Sequence, residues 1–249
     1  MLSSAEHLDG QALSILQDCY LFSDLSPAEL VPLVRQARPF SVRRGSAVYL
    51  AGDRANAIYV VLQGKLHEVL TTAEGQEMTT ELLTEGDVFG EPGVFARERD
   101  RIVRVLALED SHVVELPRSV VVPFLFSHPP AMHRLLEAMV AVLREEVEHS
   151  ALAHFASVRD RVAVKLAELA ELQGVPHPKG TVIAFDLPQS LLASLVAATR
   201  PNVNQAIGEL VATGDVVRDG RRLVVGDPSA LRQSVMGSRR LIHRRNQRR

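Results

Sequence analysis

The chain has 249 residues, 46% of them hydrophobic, enough for one large domain or two modest ones. It has no apolar run near the roughly 18 residues of a membrane span and no signal-peptide pattern, so a cytoplasmic protein with no membrane partner is expected. A single cysteine, Cys19, excludes an internal disulfide framework and cannot by itself hold an iron–sulfur cluster; it reads as a small apolar residue of an N-terminal helix. The formal charge of −2 hides an asymmetry: residues 200–249 carry 11 Lys and Arg against 4 Asp and Glu, a net of +7, leaving 17 against 26, or −9, for residues 1–199.

Residues 11–38 are expected to be helical, with a start signal at Ser26 as cap, Pro27 in the first position and Glu29 closing a capping box. From Phe40 to Leu116 short β-branched runs predict strands at Ala47–Leu50, Ala57–Leu62, Lys65–Leu70, Met78–Leu83, Ile102–Leu108 and His112–Leu116. Gly-Asp, Gln-Gly, Glu-Gly and Glu-Asp pairs punctuate them, and strands so short and evenly spaced fit a jelly-roll barrel. Pro129-Pro130 ends that region and opens a long helix to about residue 155. Met132, Leu136, Met139, Leu143 and Val147 recur along it at spacings of three and four, which suits a dimer seam. The alternative is that the helix packs on its own barrel. Arg144-Glu145-Glu146 reads as a solvated face.

A hinge is expected at 155–160, then an amphipathic helix over Val162–Leu172 that Gly174–Lys179 breaks. From Leu187 to Leu210 the pattern is a helix-turn-helix. Leu192, Leu195 and Val196 form the apolar stripe of its first helix, and Val203, Ala206, Ile207 and Leu210 form that of its second. Thr199 stands where it can cap the second helix and Pro201 sits in its first turn, where a missing N–H costs nothing. Arg200, Asn202, Asn204 and Gln205 fall outside the stripe, leaving a face rich in groups that read base edges. Together with Thr199 they are the candidate contacts to double-stranded DNA. Two strands about Asp219-Gly220 follow as a hairpin, placed as a wing, and its Arg221 and Arg222 join the DNA-binding set. The tail from Gly237 carries six arginines in its last eleven residues and is too poor in apolar residues to fold. The expected division is a sensing domain over 1–127, a dimerisation helix and hinge over 128–158, a winged helix-turn-helix over 159–236 and a basic tail over 237–249. In class this is an α+β chain.

Barrel, long helix and winged helix-turn-helix, in that order, resemble the CRP/FNR family of bacterial transcription regulators over nearly the whole chain. The segments that carry the likeness in the barrel are Arg44-Gly45 with Gly52-Asp53, Tyr59 to Leu66, and Gly86-Asp87-Val88-Phe89-Gly90-Glu91. These are similar to the glycine-punctuated core of a cyclic-nucleotide-binding domain. The resemblance implies that Glu91, after Gly90, holds a ribose hydroxyl and that Arg101 pairs with a cyclic phosphate, with cyclic AMP as the candidate effector. It also implies two departures. Ile102 stands where relatives that bind cyclic AMP have Ser or Thr, and Glu146 and Val147 stand where Thr and Ser meet adenine. A structural role for Glu91 in the turn, and for Arg101 as partner of Asp100 or Glu98, is the alternative. On the DNA side Arg200 matches a base-reading arginine of the family, whereas Pro201 and Gln205 replace Glu and Arg. Ala197 replaces the glycine common in the turn, a strained choice if that residue takes positive φ.

The expected function is therefore a homodimeric regulator that reads a two-fold DNA operator, with RNA polymerase a further candidate partner and with a weak or dispensable response to cyclic AMP. A conventional cyclic-AMP-gated regulator is the alternative. A cupin-type metalloenzyme is a remote one, because His67 and His112 of the barrel stand apart without a paired ligand; haem sensing through His67 has no other support. No metal site and no catalytic residue are expected.

Overall fold

The computed structural model describes residues 13–185 and 187–236. The basic tail expected over 237–249 lies outside the described residues. The chain divides into two compact units, one through Glu146 and one from Val147.

In the first unit, α1 covers 13–18 and α2 covers Pro27–Val34. Ser26 caps α2 as expected, and the Glu29 carboxylate accepts from the Ser26 backbone N–H at 2.8 Å and from its hydroxyl at 2.6 Å. Helix does not continue to 38. The chain turns between α1 and α2, and Arg38–Val42 is already strand β1. There follow β2 (Ala47–Tyr49), β3 (Ala57–Gln63), β4 (Leu66–Thr71), β5 (Glu77–Leu83), β6 (Val88–Phe89), the short α3 (Glu91–Phe95), β7 (Arg104–Ala107) and β8 (Ser111–Pro117). They form two antiparallel sheets of four strands, ordered β1-β8-β3-β6 and β2-β7-β4-β5, the two-sheet arrangement of a jelly roll.

Alternation explains the core. Ile58, Val60 and Leu62 of β3 and Val114 and Leu116 of β8 pack with the apolar residues of α1 and α2. Tyr59, Val61 and Val113 point the other way and fill the space between the sheets. Strand β3 is thus covered on both faces, which is why its sequence is apolar at nearly every position.

Helix α4 (Arg118–Ser127) was not expected, because its Val120-Val121-Val122-Pro123 run favours extended chain locally. Burial of Val121, Phe124 and Leu125 overrides that preference, with Phe124 edge-on to Phe22 at 6.1 Å. Helix α5 runs Pro129–Phe155, close to its expected span. Its first turns are fastened by Arg134, whose guanidinium donates to both Asp24 carboxylate oxygens at 2.7 and 3.0 Å. The expected seam divides here. Met132 and Met139 pack against the barrel's own core, whereas Leu136, Val140, Leu143 and Val147 are 49% to 65% exposed. Their spacings of four, three and four make a heptad stripe with Val140 in place of Met139.

The second unit holds the last turns of α5, then α6 (Val158–Gln173), β9 (Gly174–His177), β10 (Gly180–Ile183), α7 (Gln189–Leu195), α8 (Arg200–Ala212), β11 (Val216–Asp219), β12 (Arg222–Val225) and α9 (Pro228–Met236). Only Ala156 and Ser157 separate α5 from α6, a tighter joint than the expected hinge; the Ser157 hydroxyl caps α6 by accepting from the Asp160 N–H at 3.1 Å. Gly174–Lys179 is no mere break: β9 and β10 pair as a hairpin and extend the wing into a four-stranded sheet, β11-β12-β10-β9. Helix α9, also unexpected, closes the unit by burying Leu231 and Val235. Among the described residues no helix is long and apolar enough to cross a membrane.

Candidate functional site

The helix-turn-helix is built from α7 and α8. Val203, Ala206, Ile207 and Leu210 of α8 are buried, along with Leu191, Leu192, Ala193 and Val196 on and just after α7. That packing leaves Arg200, Asn202 and Gln205 exposed on the surface of α8 outside the buried stripe, with Asn204 half-buried. Arg200 is steadied by its Nε donating to Gln189 Oε1 at 3.5 Å, and Gln205 Nε2 donates to Glu209 Oε1 at 3.0 Å. Both interactions are on the surface and break readily for a better partner. Thr199 has the extended backbone of a cap residue, but its hydroxyl makes no capping hydrogen bond, so its expected capping role is corrected to position alone. Behind α8, Asp215 Oδ2 accepts from Arg159 Nη2 at 3.1 Å and from the Thr213 hydroxyl at 2.6 Å, fixing the turn that leads into the wing. The wing turns at Gly220-Arg221, one residue later than expected, with Gly220 at φ +59°. Arg218, Arg221 and Arg222 are exposed on it; Arg218 was not among the expected residues.

Ala197, between the two helices, sits at φ +46°. A non-glycine residue in this left-handed region carries roughly 1–3 kcal/mol of strain. Ala197→Gly is expected to stabilise the second unit by about 1 kcal/mol, the relief of strain being offset in part by glycine's larger unfolded-state entropy. A urea midpoint raised at unchanged slope checks it, and an unmoved or lowered midpoint contradicts it.

In the barrel three of the expected ligand residues, Gly90, Glu91 and Arg101, come together. Gly90 takes φ +86° to lead into α3, whose first residue is Glu91. A side chain on Gly90 would also strike Arg101 Nη1, so the position excludes other residues twice over. Glu91 and Arg101 are 6% and 5% exposed. Arg101 pairs with neither Asp100 nor Glu98. Its Nη1 donates to the Gly90 carbonyl at 2.6 Å and its Nη2 to the Ala57 carbonyl at 2.5 Å, while its guanidinium carbon lies 4.2 Å from the centre of the Tyr49 ring. Its buried Nε has no acceptor among the described residues. Ile102 is 75% exposed and brings no donor to this place. Glu146 and Val147 are both exposed on α5.

Sequence reasoning missed the other members of this cluster, Tyr49, Glu68 and Glu81. The only signal for them is strand register, which sets Glu68 of β4 opposite Glu81 of β5. Burial is the main force raising the Glu91 carboxyl to about 7; nearby Glu68 adds to it, while a backbone N–H and Arg101 pull it back. Glu68 is raised by burial against the pull of Tyr49 and Arg101. Glu81, although water reaches it, is crowded by the fold and by Glu68, Glu91, Asp87 and Glu145 and is pushed up to about 8.

His67, half-buried, has its Nδ1 3.3 Å from the Thr79 hydroxyl, and burial lowers its pKa. Cys19 is buried and its thiol is pushed up to about 12, chiefly by that burial, which makes it unreactive. Among the described residues no three His, Cys, Asp or Glu side chains are placed to hold a metal.

Residues 39–128 match the cyclic nucleotide-binding domain family, and residues 160–234 match the Crp-like helix-turn-helix domain. A sensor barrel followed by a DNA-binding helix-turn-helix defines a transcription regulator and not an enzyme. The chain is 25% identical over 217 residues, 87% of its length and 96% of the other's, to the CRP-like cAMP-activated global transcriptional regulator of Mycobacterium tuberculosis. It is 28% identical over 215 residues, 86% and 95% of the two lengths, to the cyclic AMP receptor protein of Thermus thermophilus. Among solved structures its fold resembles the c-di-GMP responsive global regulator CLP of Xanthomonas campestris, with TM-score 0.69 at 19% identity over 80% of this chain and 99% of that one. FixK2 of Bradyrhizobium japonicum is alike in fold, with TM-score 0.68 at 20% identity over 78% and 95%. The protein belongs to the CRP/FNR family of transcription regulators.

Proposed function

We propose that the protein is a homodimer joined along α5, that its two α8 helices read a two-fold operator, and that it does so without needing cyclic AMP. The observation that carries the DNA part is the exposure of Arg200, Asn202 and Gln205 around a helix whose apolar stripe is fully buried. Arg suits a guanine edge and Gln an adenine edge. The dimer part is supported by the exposed stripe Leu136, Val140, Leu143 and Val147, since such a stripe is covered economically by its own copy across a two-fold axis. Independence from the nucleotide is supported by Arg101, which already spends both terminal nitrogens on backbone carbonyls, and by Ile102, Glu146 and Val147, which offer no hydroxyl to phosphate or adenine.

A ligand shifts an equilibrium only by its difference in affinity for the two states. With the polar links from nucleotide to α5 missing, that difference is small. An operator selected from a random DNA pool is expected to bind nucleotide-free protein, and saturating cyclic AMP is expected to change the affinity less than about tenfold. Two relatives are named for cyclic AMP, and Glu91 and Arg101 are present as in the resemblance, so a gated regulator is the second reading. An operator complex that forms only after cyclic AMP is added establishes it and overturns ours.

A further inference from the structure

We propose that Glu68 and Glu81 are specificity-determining residues of the barrel pocket: with Glu91 they set it against the phosphodiester anion of a cyclic nucleotide and toward a ligand that is neutral or cationic where it meets β4 and β5. This rests on reading the barrel as a ligand pocket of the cyclic-nucleotide type, and it deepens that reading by naming what the pocket refuses.

The geometry begins with strand pairing. Glu68 and Glu81 are direct partners in the antiparallel β4–β5 ladder, so their side chains leave the same face of the sheet. Like charges so placed repel, and nothing in the fold of a barrel asks for them there. Glu68 is hydrogen-bonded by Tyr49, and the Tyr49 ring lies under the Arg101 guanidinium, which links Glu68 to Arg101. The charged groups that act on the cluster are Glu68 of β4, Glu81 of β5, Asp87 before β6, Glu91 of α3, Arg101 before β7 and Glu145 of α5. His67, the remaining titratable group of β4, answers instead to Arg104 and Glu77.

One guanidinium thus faces several carboxylates, and two of its three nitrogens are already committed to backbone carbonyls. The third, Nε, is buried and without an acceptor among the described residues, which marks a place for an oxygen of some ligand. An anion entering to take that donor would meet repulsion from the Glu68–Glu81 pair. A hydroxyl, an amide or an ammonium group would be welcomed by the same carboxylates.

The refusal is graded by pH. Because burial, reinforced by mutual repulsion, keeps Glu91 protonated up to about 7 and Glu81 up to about 8, these two carboxyls are largely neutral at pH 6 and anionic above pH 8. Cyclic AMP, whose own charge is constant over this range, should therefore bind better as pH falls.

The test is calorimetric titration of cyclic AMP into the full chain at pH 6 and pH 8.5, for wild type, Glu81→Gln and Glu68→Gln/Glu81→Gln. Glu81 is exposed, so the single variant keeps its fold, and a thermal melt verifies the double one. Expected at pH 8.5 is binding at least tenfold tighter in the double variant, intermediate in Glu81→Gln, with the wild type's gain on acidification largely lost. Equal affinities in wild type and variants overturn the proposal, as does an unchanged pH dependence. So does an absence of binding in all three proteins at both pH values, since the barrier would then lie elsewhere. Operator binding by the nucleotide-free wild type is measured separately, so the reading under Proposed function can fail while this one stands, and the reverse.

Discussion

Replacing Leu136 and Leu143 by Asp is expected to leave a folded chain that no longer dimerises and binds its operator at least roughly a thousandfold more weakly, because the two recognition helices then no longer bind their half-sites as one linked unit. Both leucines are more than half exposed, so the single chain has little to lose, whereas a dimer would have to bury the new carboxylates without partners. Met139→Asp is the contrast. Its side chain packs on the barrel's own core, so the charge should unfold or destabilise that unit instead of releasing an intact monomer. Light scattering with a thermal melt distinguishes them. A folded monomer from Met139→Asp, with Leu136→Asp/Leu143→Asp still dimeric, would place the seam on the other side of α5.

That exchange of Met139 for Val140 shows where sequence reading stops. Spacings of three and four revealed that α5 is amphipathic over its whole length, but a helix that serves both its own barrel and an outer face carries two overlapping stripes. Only packing separates Met132 and Met139 from Leu136, Val140, Leu143 and Val147. The recognition helix was legible because a single stripe of Val203, Ala206, Ile207 and Leu210 leaves one free side. Strand β3 was legible as an apolar run, since burial on both faces leaves little room for polar residues. Helix α4 was not, as its three valines favour a strand and Pro123 disfavours a helix interior until tertiary packing intervenes. The hairpin β9–β10 was hidden by Pro176 and by glycines that look like a simple break.

The barrel site was half legible. Glu91 and Arg101 follow from the spacing of a resemblance, and they do stand together, but the role of Arg101 in this chain is to join two carbonyls that sequence never names. Glu68 and Glu81 were invisible because cross-strand partners depend on register, and a bulge at Thr80 shifts the register just where they meet.

Arg200→Ala is expected to weaken operator binding by roughly 1–3 kcal/mol at each half-site, so about thirtyfold to twenty-thousandfold for the dimer, while leaving the melting temperature nearly unchanged. Stability is spared because Arg200 is exposed and gives up only a long hydrogen bond to Gln189. The size of the loss follows from position. Arg200 opens α8, the end of a recognition helix that points into the major groove, where a guanidinium can meet guanine N7 and O6 with two parallel hydrogen bonds. An arginine that only neutralised a phosphate would behave differently. Its removal would weaken specific and non-specific DNA alike and lower the salt slope by about 0.9 for each phosphate no longer neutralised, with no change in base preference. Titrating the variant against the selected operator, against single-base replacements in it and against unrelated DNA separates these cases. A base-reading Arg200 relaxes preference at one position of each half-site and leaves non-specific affinity almost untouched. Equal losses on all three DNAs would assign Arg200 to the backbone and leave Asn202 and Gln205 to carry the reading.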